Sequence, residues 1–508
     1  MNLLSLRRST GTIRFRVLAT LIAAPLLACT ALISRDVDQC STDADCAHFG
    51  NHPVCQSGVC VASGLGPPGC FLGDASTPAD FLNQCSTAQC LTSDPCADNG
   101  ICDLDAQAPI VGPDAAAPST TTPSDAAPPP FCSSASPLVV YTAGSTALQP
   151  FLSVVAKLPP FGTNYYTIVY ANTGSCTGVA SQLDPDPTKH VVKGAAVYFD
   201  NTGTSHPCLL DPQGDAIDVG VSDVFASSCT EPEPVAGGSV AQYLGPIQAM
   251  TMVVPQASSQ NSITAAQAHL VFGTGGQGVP VPNPATFPWT DPTLYFVRNS
   301  GSGTQQMLSR AFNVPANQWW GIDRGGSGAV KTGLEAVDPA KVDQAIGILS
   351  TDVVDPERGK LKYLAFQESG QSCGYYPDSS SATKDKLNIR NGHYPVWGPV
   401  HMFTTVSNSE PGAAAQSIVG RFAQTDLEQS LVDAIIDTGL VPQCAMTVAR
   451  DTELGDIYSK APDFQCGCYM DSRILGAVAP GCVSCNSGAD CTGVAGKPQC
   501  NYGYCEAN

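Results

Sequence analysis

A chain of 508 residues is long enough to bury a sizeable core and to hold more than one domain. Its formal charge is -20 although only 13% of residues are charged, so scarce Lys and Arg cause the imbalance as much as carboxylates do. That argues against nucleic acid as a partner. A small anion stays open as a ligand, because salt screens a distant negative surface over about 10 Å, whereas a buried Arg or a helix dipole acts at contact.

At the N-terminus, Arg7, Arg8, Arg14 and Arg16 precede an apolar run over 17–28, too short for a comfortable bilayer span, which predicts an export signal. The run ends in Leu26-Leu27-Ala28-Cys29, which resembles a bacterial lipobox. The resemblance implies removal of residues 1–28 and lipidation of Cys29; an ordinary signal peptide, or an uncleaved anchor with a chance cysteine, is the alternative. No other stretch is long and apolar enough to cross a bilayer, so the remainder is expected in the cell envelope, tethered to a membrane by the lipid. Setting Cys29 aside leaves 22 of the 23 cysteines, an even number, for which disulfides are expected in an exported chain.

Residues 29–102 read as a Cys-rich module or modules. Cys40, Cys46, Cys55 and Cys60 are separated by five, eight and four residues, and Cys485, Cys491, Cys500 and Cys505 repeat those gaps, with Ala-Asp before the second cysteine each time. This is an internal repeat, and 466–508 is its C-terminal copy with flanking residues. Metal binding lacks paired Cys-x-x-Cys knuckles, since Cys482 and Cys485 form the one such pair, so disulfide-stapled modules and no metal are expected. Residues 103–135, rich in Pro, Ala, Ser and Thr, read as an extended linker.

Over 136–465 strand-like and helix-like segments alternate. Leu138-Val139-Val140-Tyr141 leads to Gly144-Ser145-Thr146 and then to Leu148, Phe151, Val155 and Leu158 at helical spacing. Thr167-Ile168-Val169-Tyr170 leads to Gly174-Ser175-Cys176. Ile217, Val219 and Val221 alternate before Ser222-Asp223. A buried strand is expected over 250–254, and a helix opened by a Thr264/Gln267 capping box and stopped near Gly273. Leu294-Tyr295-Phe296-Val297 leads to Arg298-Asn299-Ser300-Gly301-Ser302-Gly303-Thr304 and a helix carrying Met307, Leu308, Ala311 and Phe312. A further capping box is read at Thr425 and Glu428, with Gly439 as the stop. Such alternation predicts an α/β domain that binds ligands at the C-terminal ends of its strands. Gly/Ser turns there aim amides and hydroxyls at one point, where a helix dipole favours an anion, and Arg298 adds a fork of charged donors.

The ordered set Thr-Ala-Gly-Ser-Thr (142–146), Asn-Thr-Gly-Ser (172–175), Asp-Val-Gly-Val-Ser-Asp (218–223), Arg-Asn-Ser-Gly-Ser-Gly-Thr (298–304) and Ala-Ile-Gly-Ile (345–348) resembles periplasmic phosphate-binding proteins of ABC importers. The resemblance covers the middle of the chain and excludes both Cys-rich ends. It implies the two-lobed α/β fold of the type 2 periplasmic binding proteins, with lobe one at about 136–245 and 395–465 and lobe two at about 246–394. It further implies that Thr146, Ser175 and Asp223 from one lobe and Arg298, Ser302, Gly303 and Thr304 from the other hold phosphate. In that family an aspartate often stands where this chain has Ser300, and Cys176 and Cys208 fall in an added segment that disulfides can staple.

The function expected is capture of inorganic phosphate or a related oxyanion by an exported, lipid-anchored protein, for delivery to a membrane ABC permease. No catalytic step and no cofactor are expected. Two alternatives stand beside it. One is a surface adhesion or sensing protein that works through its Cys-rich modules. The other is a phosphoester hydrolase, against which stand the absence of a His-Glu-x-x-His or Gly-x-Ser-x-Gly motif and seven scattered histidines.

Overall fold

The structure, a computed structural model, describes residues 73–101, 128–135, 138–158, 166–235, 237–279, 285–407, 411–424 and 426–507, and four short strands within 54–71. The export signal, Cys29, Cys40, Cys46, Cys102 and residues 103–127 of the expected linker lie outside them. The chain forms two units, Met1–Gly73 and Asp74–Asn508. In the first, Val54–Gln56 pairs antiparallel with Val59–Val61, which sets Cys55 opposite Cys60, and Leu65–Gly66 pairs with Cys70–Phe71.

The second unit is built on eleven strands: β1 Val139–Gly144, β2 Thr167–Asn172, β3 Ala195–Phe199, β4 Ser205–Leu209, β5 Val219–Ser222, β6 Val240–Pro255, β7 Tyr295–Val297, β8 Ile322–Asp323, β9 Ile346–Ser350, β10 Leu361–Tyr363 and β11 Trp397–Thr405. Their order is β4-β3-β2-β1-β5-β11-β6-β9-β7-β8, with β10 also paired to β6. The long strand β6 makes one sheet serve two lobes. Val240 to Ala249 pair with β11, and from Met250 onward the strand pairs with β9 and then β10. The expected buried strand over 250–254 is therefore the second half of a longer element, whose residues from Gly245 onward are all withdrawn from solvent.

Each lobe has a parallel core of three strands. In lobe one β1 lies between β2 and β5; in lobe two β7 lies between β8 and β9. Parallel strands need crossover helices. The principal helices are α1 Gln149–Val155, α2 Ser175–Leu183, α3 Ala265–Thr274, α4 Gly303–Ala311, α5 Ser327–Glu335 and the short α6 Thr351–Val354. Helix α2 sits close on β1 and β5 because of Gly178. A Cβ there would stand 2.4 Å from the Val221 carbonyl oxygen and 2.8 Å from that of Ala143. Helix α3 opens on the expected box, with the Thr264 hydroxyl accepting from the Gln267 amide, but ends at Gly275 in the left-handed region rather than at Gly273. In the core of lobe two, Phe272 stacks on Phe312 and on Trp319 at centroid distances of 5.5 and 4.5 Å.

One expectation is corrected. The helix Gln429–Asp437 has Glu428 as its N-cap residue with no side-chain cap bond, whereas a Thr425/Glu428 box would start the helix three residues earlier; Thr425 itself lies outside the described residues.

Segments from both Cys-rich ends are sewn into this unit. Cys90–Leu91 adds a strand beside Gly374–Tyr375, and Cys90 is cross-linked to Cys373. Cys132 is bonded to Cys208 on β4, and the Pro130 carbonyl accepts from the Leu209 amide over 2.9 Å. At the C-terminus Gln499–Asn501 pairs with Tyr504–Glu506, setting Cys500 opposite Cys505 in the register that Cys55 and Cys60 adopt. Cys485–Cys500 and Cys491–Cys505 staple this hairpin, so the sulfurs of Cys485, Cys491 and Cys505, which lie within 4.8 Å of one another, are spent in disulfides. The module is held to lobe one by the Cys444–Cys466 disulfide and by the Tyr502 hydroxyl on the Leu427 carbonyl (2.5 Å). Among the described residues no helix is long and apolar enough to cross a membrane.

Candidate functional site

The C-terminal ends of β1, β2 and β5 bring three loops of lobe one together. Gly144, at φ 142° with the Val221 carbonyl where a Cβ would fall, turns the chain so that the Ser145 amide donates to that same carbonyl over 3.1 Å. Ser175 opens α2, and its buried hydroxyl donates to Asp223 Oδ2 over 3.3 Å while accepting from the Asp223 amide over 3.3 Å. The disulfide Cys176–Cys229 ties the residue after Ser175 to the turn after Asp223. The added cysteine at 176 thus fixes the two loops that carry site residues.

Lobe two presents the ends of β7, β8 and β9. Arg298, 2% exposed, donates from Nε to the Gly325 carbonyl (3.2 Å) and from Nη1 to the Ser327 hydroxyl (2.9 Å). Its hydrogen-bond partners are neutral oxygens, and Ser300, in the place of the family's aspartate, is exposed and accepts from Gln306 through its carbonyl. Ser302 stands at the N-cap of α4 with no side-chain cap bond, and Gly303 and Thr304 form the first turn, whose amides have no partner within the helix.

The lobes meet through these residues. The Gly303 amide donates to Ser175 Oγ over 3.2 Å, the Cys176 amide to the Gly301 carbonyl over 3.1 Å, and the hydroxyls of Thr146 and Ser327 lie 3.2 Å apart. Only glycine fits at 303, because a Cβ there would stand 2.3 Å from Ser175 Oγ and 3.0 Å from Asp223 Oδ2. All seven residues expected to hold the anion thus fall at this junction: Thr146, Ser175, Asp223, Arg298, Ser302, Gly303 and Thr304.

Burial dominates the electrostatics. It pushes the Asp223 carboxyl up to about 6, against the hydrogen bond from Ser145, the Arg298 charge and the hydrogen bond from Ser175. It also pushes the Arg298 guanidinium down, and Asp223, Asp323 and Tyr170 oppose it. Asp223 Oδ1 is buried with no hydrogen-bond partner. A buried acceptor left this way is costly unless a donor reaches it.

Four contributors escaped the sequence reading. Ser145 and Tyr170 were read as parts of a turn and a strand. Ser327 follows Gly325-Gly326 after β8, the same strand-turn-helix signal as the others but on a strand of two residues. Asp352 follows β9, is 0% exposed, and accepts from Gln248 Nε2 over 2.9 Å at Oδ1. A separate cleft of about 490 Å³, lined by Tyr243, Phe422, Lys460 and Phe464 among others, lies outside this cluster and offers a single cation.

Two α/β lobes thus share a crossover strand, and loops from six strand ends meet between them. The chain's structure is similar to those of phosphate-binding proteins. No family model matches the chain, and no curated protein matches it. Among solved structures it is similar to a protein described as a phosphate ABC transporter substrate-binding protein with bound phosphate, from Clostridium perfringens, at a TM-score of 0.40 and 16% identity over 60% of this chain and 99% of that one. It is similar also to an ABC-type phosphate transport receptor from Vibrio cholerae, at 0.35 and 15% over 59% and 99%, and to a phosphate-binding protein from Stenotrophomonas maltophilia, at 0.36 and 14% over 60% and 90%.

Proposed function

We propose that the chain captures inorganic phosphate, or an oxyanion of the same shape, between its lobes and does not turn it over. The observation that carries this reading is Arg298, a buried guanidinium hydrogen-bonded to neutral oxygens at the mouth of a helix, facing a junction of hydroxyls and first-turn amides. In this reading Thr146 and Ser175 bind by hydroxyl, Ser302, Gly303 and Thr304 from the start of α4, and Arg298 by charge. Asp223 accepts the proton of hydrogen phosphate, and sulfate, which has no proton to give at neutral pH, leaves the two acceptors facing each other. The disulfides fit an oxidising, extracytoplasmic compartment. We assign the chain the task of an exported protein, lipid-anchored through Cys29, that hands its ligand to a membrane permease of the ABC type. Titration calorimetry of the oxidised full chain with phosphate and with sulfate tests the reading: phosphate gives a saturating heat and sulfate does not, whereas two flat titrations reject it.

A further inference from the structure

Asp352 is a buried acid to which phosphate capture by the seven junction residues gives no task. It stands on α6 at the end of β9, and α6 packs against the Thr146–Leu148 turn that carries the site hydroxyl of lobe one. Its Oδ1 is held by the Gln248 amide, while its Oδ2 has no hydrogen-bond partner, nor has the hydroxyl of Tyr170, which feels the charges of Asp223, Asp352 and Arg298 together. No cation pairs with Asp352 among the described residues. The charged groups on the elements packed around α6 are engaged elsewhere. Asp355 is bonded to Lys386 and Tyr363, Lys331 to Glu357, Lys360 to Glu335, and Lys362 to Ser258 and Asn261. The titratable groups in electrostatic reach of Asp352 are thus Asp223 and Tyr170, with the Ser350 hydroxyl beside its carboxylate, and Arg298 is the cation next to Asp223 and Tyr170.

The charges of these buried groups do not balance. With Asp223 and Asp352 both ionised, the one guanidinium of Arg298 leaves the group negative before any anion enters, and hydrogen phosphate adds two more negative charges. Like charges at low dielectric repel by several times their energy in water. A proton taken up by a buried carboxyl relieves that repulsion.

We propose that Asp352 is the second carboxyl of the oxyanion site and takes up a proton from solvent as the anion enters, so that capture is coupled to net proton uptake at this residue. The inference rests on the phosphate reading. Burial, against the Ser350 hydroxyl and the Gln248 amide and together with the neighbouring Asp223, already pushes this carboxyl up to about 7, and a bound anion pushes it the same way. Protonated, Asp352 gains a donor at Oδ2, the oxygen that lacks a partner.

Calorimetry of inorganic phosphate binding to the full oxidised chain, in two buffers of unlike ionisation enthalpy at about pH 8, counts the protons exchanged. The wild type is expected to take up more protons than Asp352→Asn, and above neutrality its affinity falls more steeply than the variant's by up to about tenfold per pH unit. Equal proton counts and parallel pH profiles overturn the assignment and leave phosphate capture standing. A wild type that gives no phosphate heat at any pH overturns phosphate capture itself. If the variant does not fold, carboxyl carbon resonances of aspartate-labelled wild type decide. A near-neutral midpoint besides that of Asp223 that rises with phosphate supports the inference, and its absence overturns it.

Discussion

The backbone amide of Gly303 donates to the side-chain hydroxyl of Ser175 over 3.2 Å, joining the first turns of two helices that stand 128 residues apart and belong to different lobes. That same hydroxyl donates to Asp223, so one atom links both lobes to the buried carboxylate. The contact depends on a missing side chain. In Gly303→Ala the new methyl falls 2.3 Å from Ser175 Oγ and 2.9 Å from Asp223 Cβ. The first turn of a helix tolerates alanine, so the fold survives while the lobes are held apart. Phosphate affinity is expected to fall by at least about tenfold, or about 1.4 kcal/mol. Calorimetry beside a thermal scan checks it, and unchanged affinity refutes the closeness of this contact.

Cys176–Cys229 joins residues 53 apart and holds the loops of Ser175 and Asp223 together. The chain-entropy argument gives a cross-link of that span about 4 kcal/mol. The double variant Cys176→Ser/Cys229→Ser is expected to unfold at lower urea concentration and, while folded, to bind phosphate more weakly. A shifted urea midpoint with unaltered affinity would mean that the disulfide serves stability alone.

The buried carboxyls set the sign of the pH dependence. Asp223 and Asp352 are pushed up to about 6 and about 7 in the folded chain, from an ordinary value near 4. The folded state therefore binds more protons than the unfolded one between those values. Stability of the ligand-free protein falls as pH rises from about 4 to about 7 and then levels off, as far as these groups contribute. Asp352→Asn removes the cost of burying a charge, so the difference in melting temperature between variant and wild type should shift in the variant's favour as pH rises from 5 to about 8. A constant difference across that range contradicts the assignment of a raised pKa.

Lys386 is fully buried, with its Nζ 2.6 Å from Asp355 and 2.8 Å from Asp378, and Arg358 completes the cluster by pairing with both carboxylates. Removing one member leaves a buried charge uncompensated, which costs about 3–5 kcal/mol. Lys386→Met is expected to lose that much in urea unfolding, and a loss below about 1 kcal/mol would show that water or a shift of Arg358 compensates.

What was legible in the sequence depended on the strength of local signals. β1, β2 and β7 announce themselves as apolar runs before Gly/Ser turns, and β5 as an alternation before Asp223, so four of the strand ends were found. Ser327 was missed because β8 has only two residues and no apolar run. Asp352 was missed because β9, buried at every position, ends in Ser-Thr-Asp without a glycine. The composition of 29–102 reads as a Cys-rich module or modules, yet Cys90 is bonded to Cys373, 283 residues away, and cysteine spacing carries no information on such a partner. Thr425 and Glu428 have a capping pattern, yet the helix begins after Glu428, because a four-residue motif does not by itself fix where a helix starts.

The central claim is that a single buried guanidinium and a single buried acceptor select the ligand. Calorimetric titration of phosphate into the wild type and Arg298→Ala tests it most directly. Saturable binding by the wild type and a loss of at least about a hundredfold in the variant, about 3 kcal/mol, are predicted. Equal affinity in the two proteins would contradict the account.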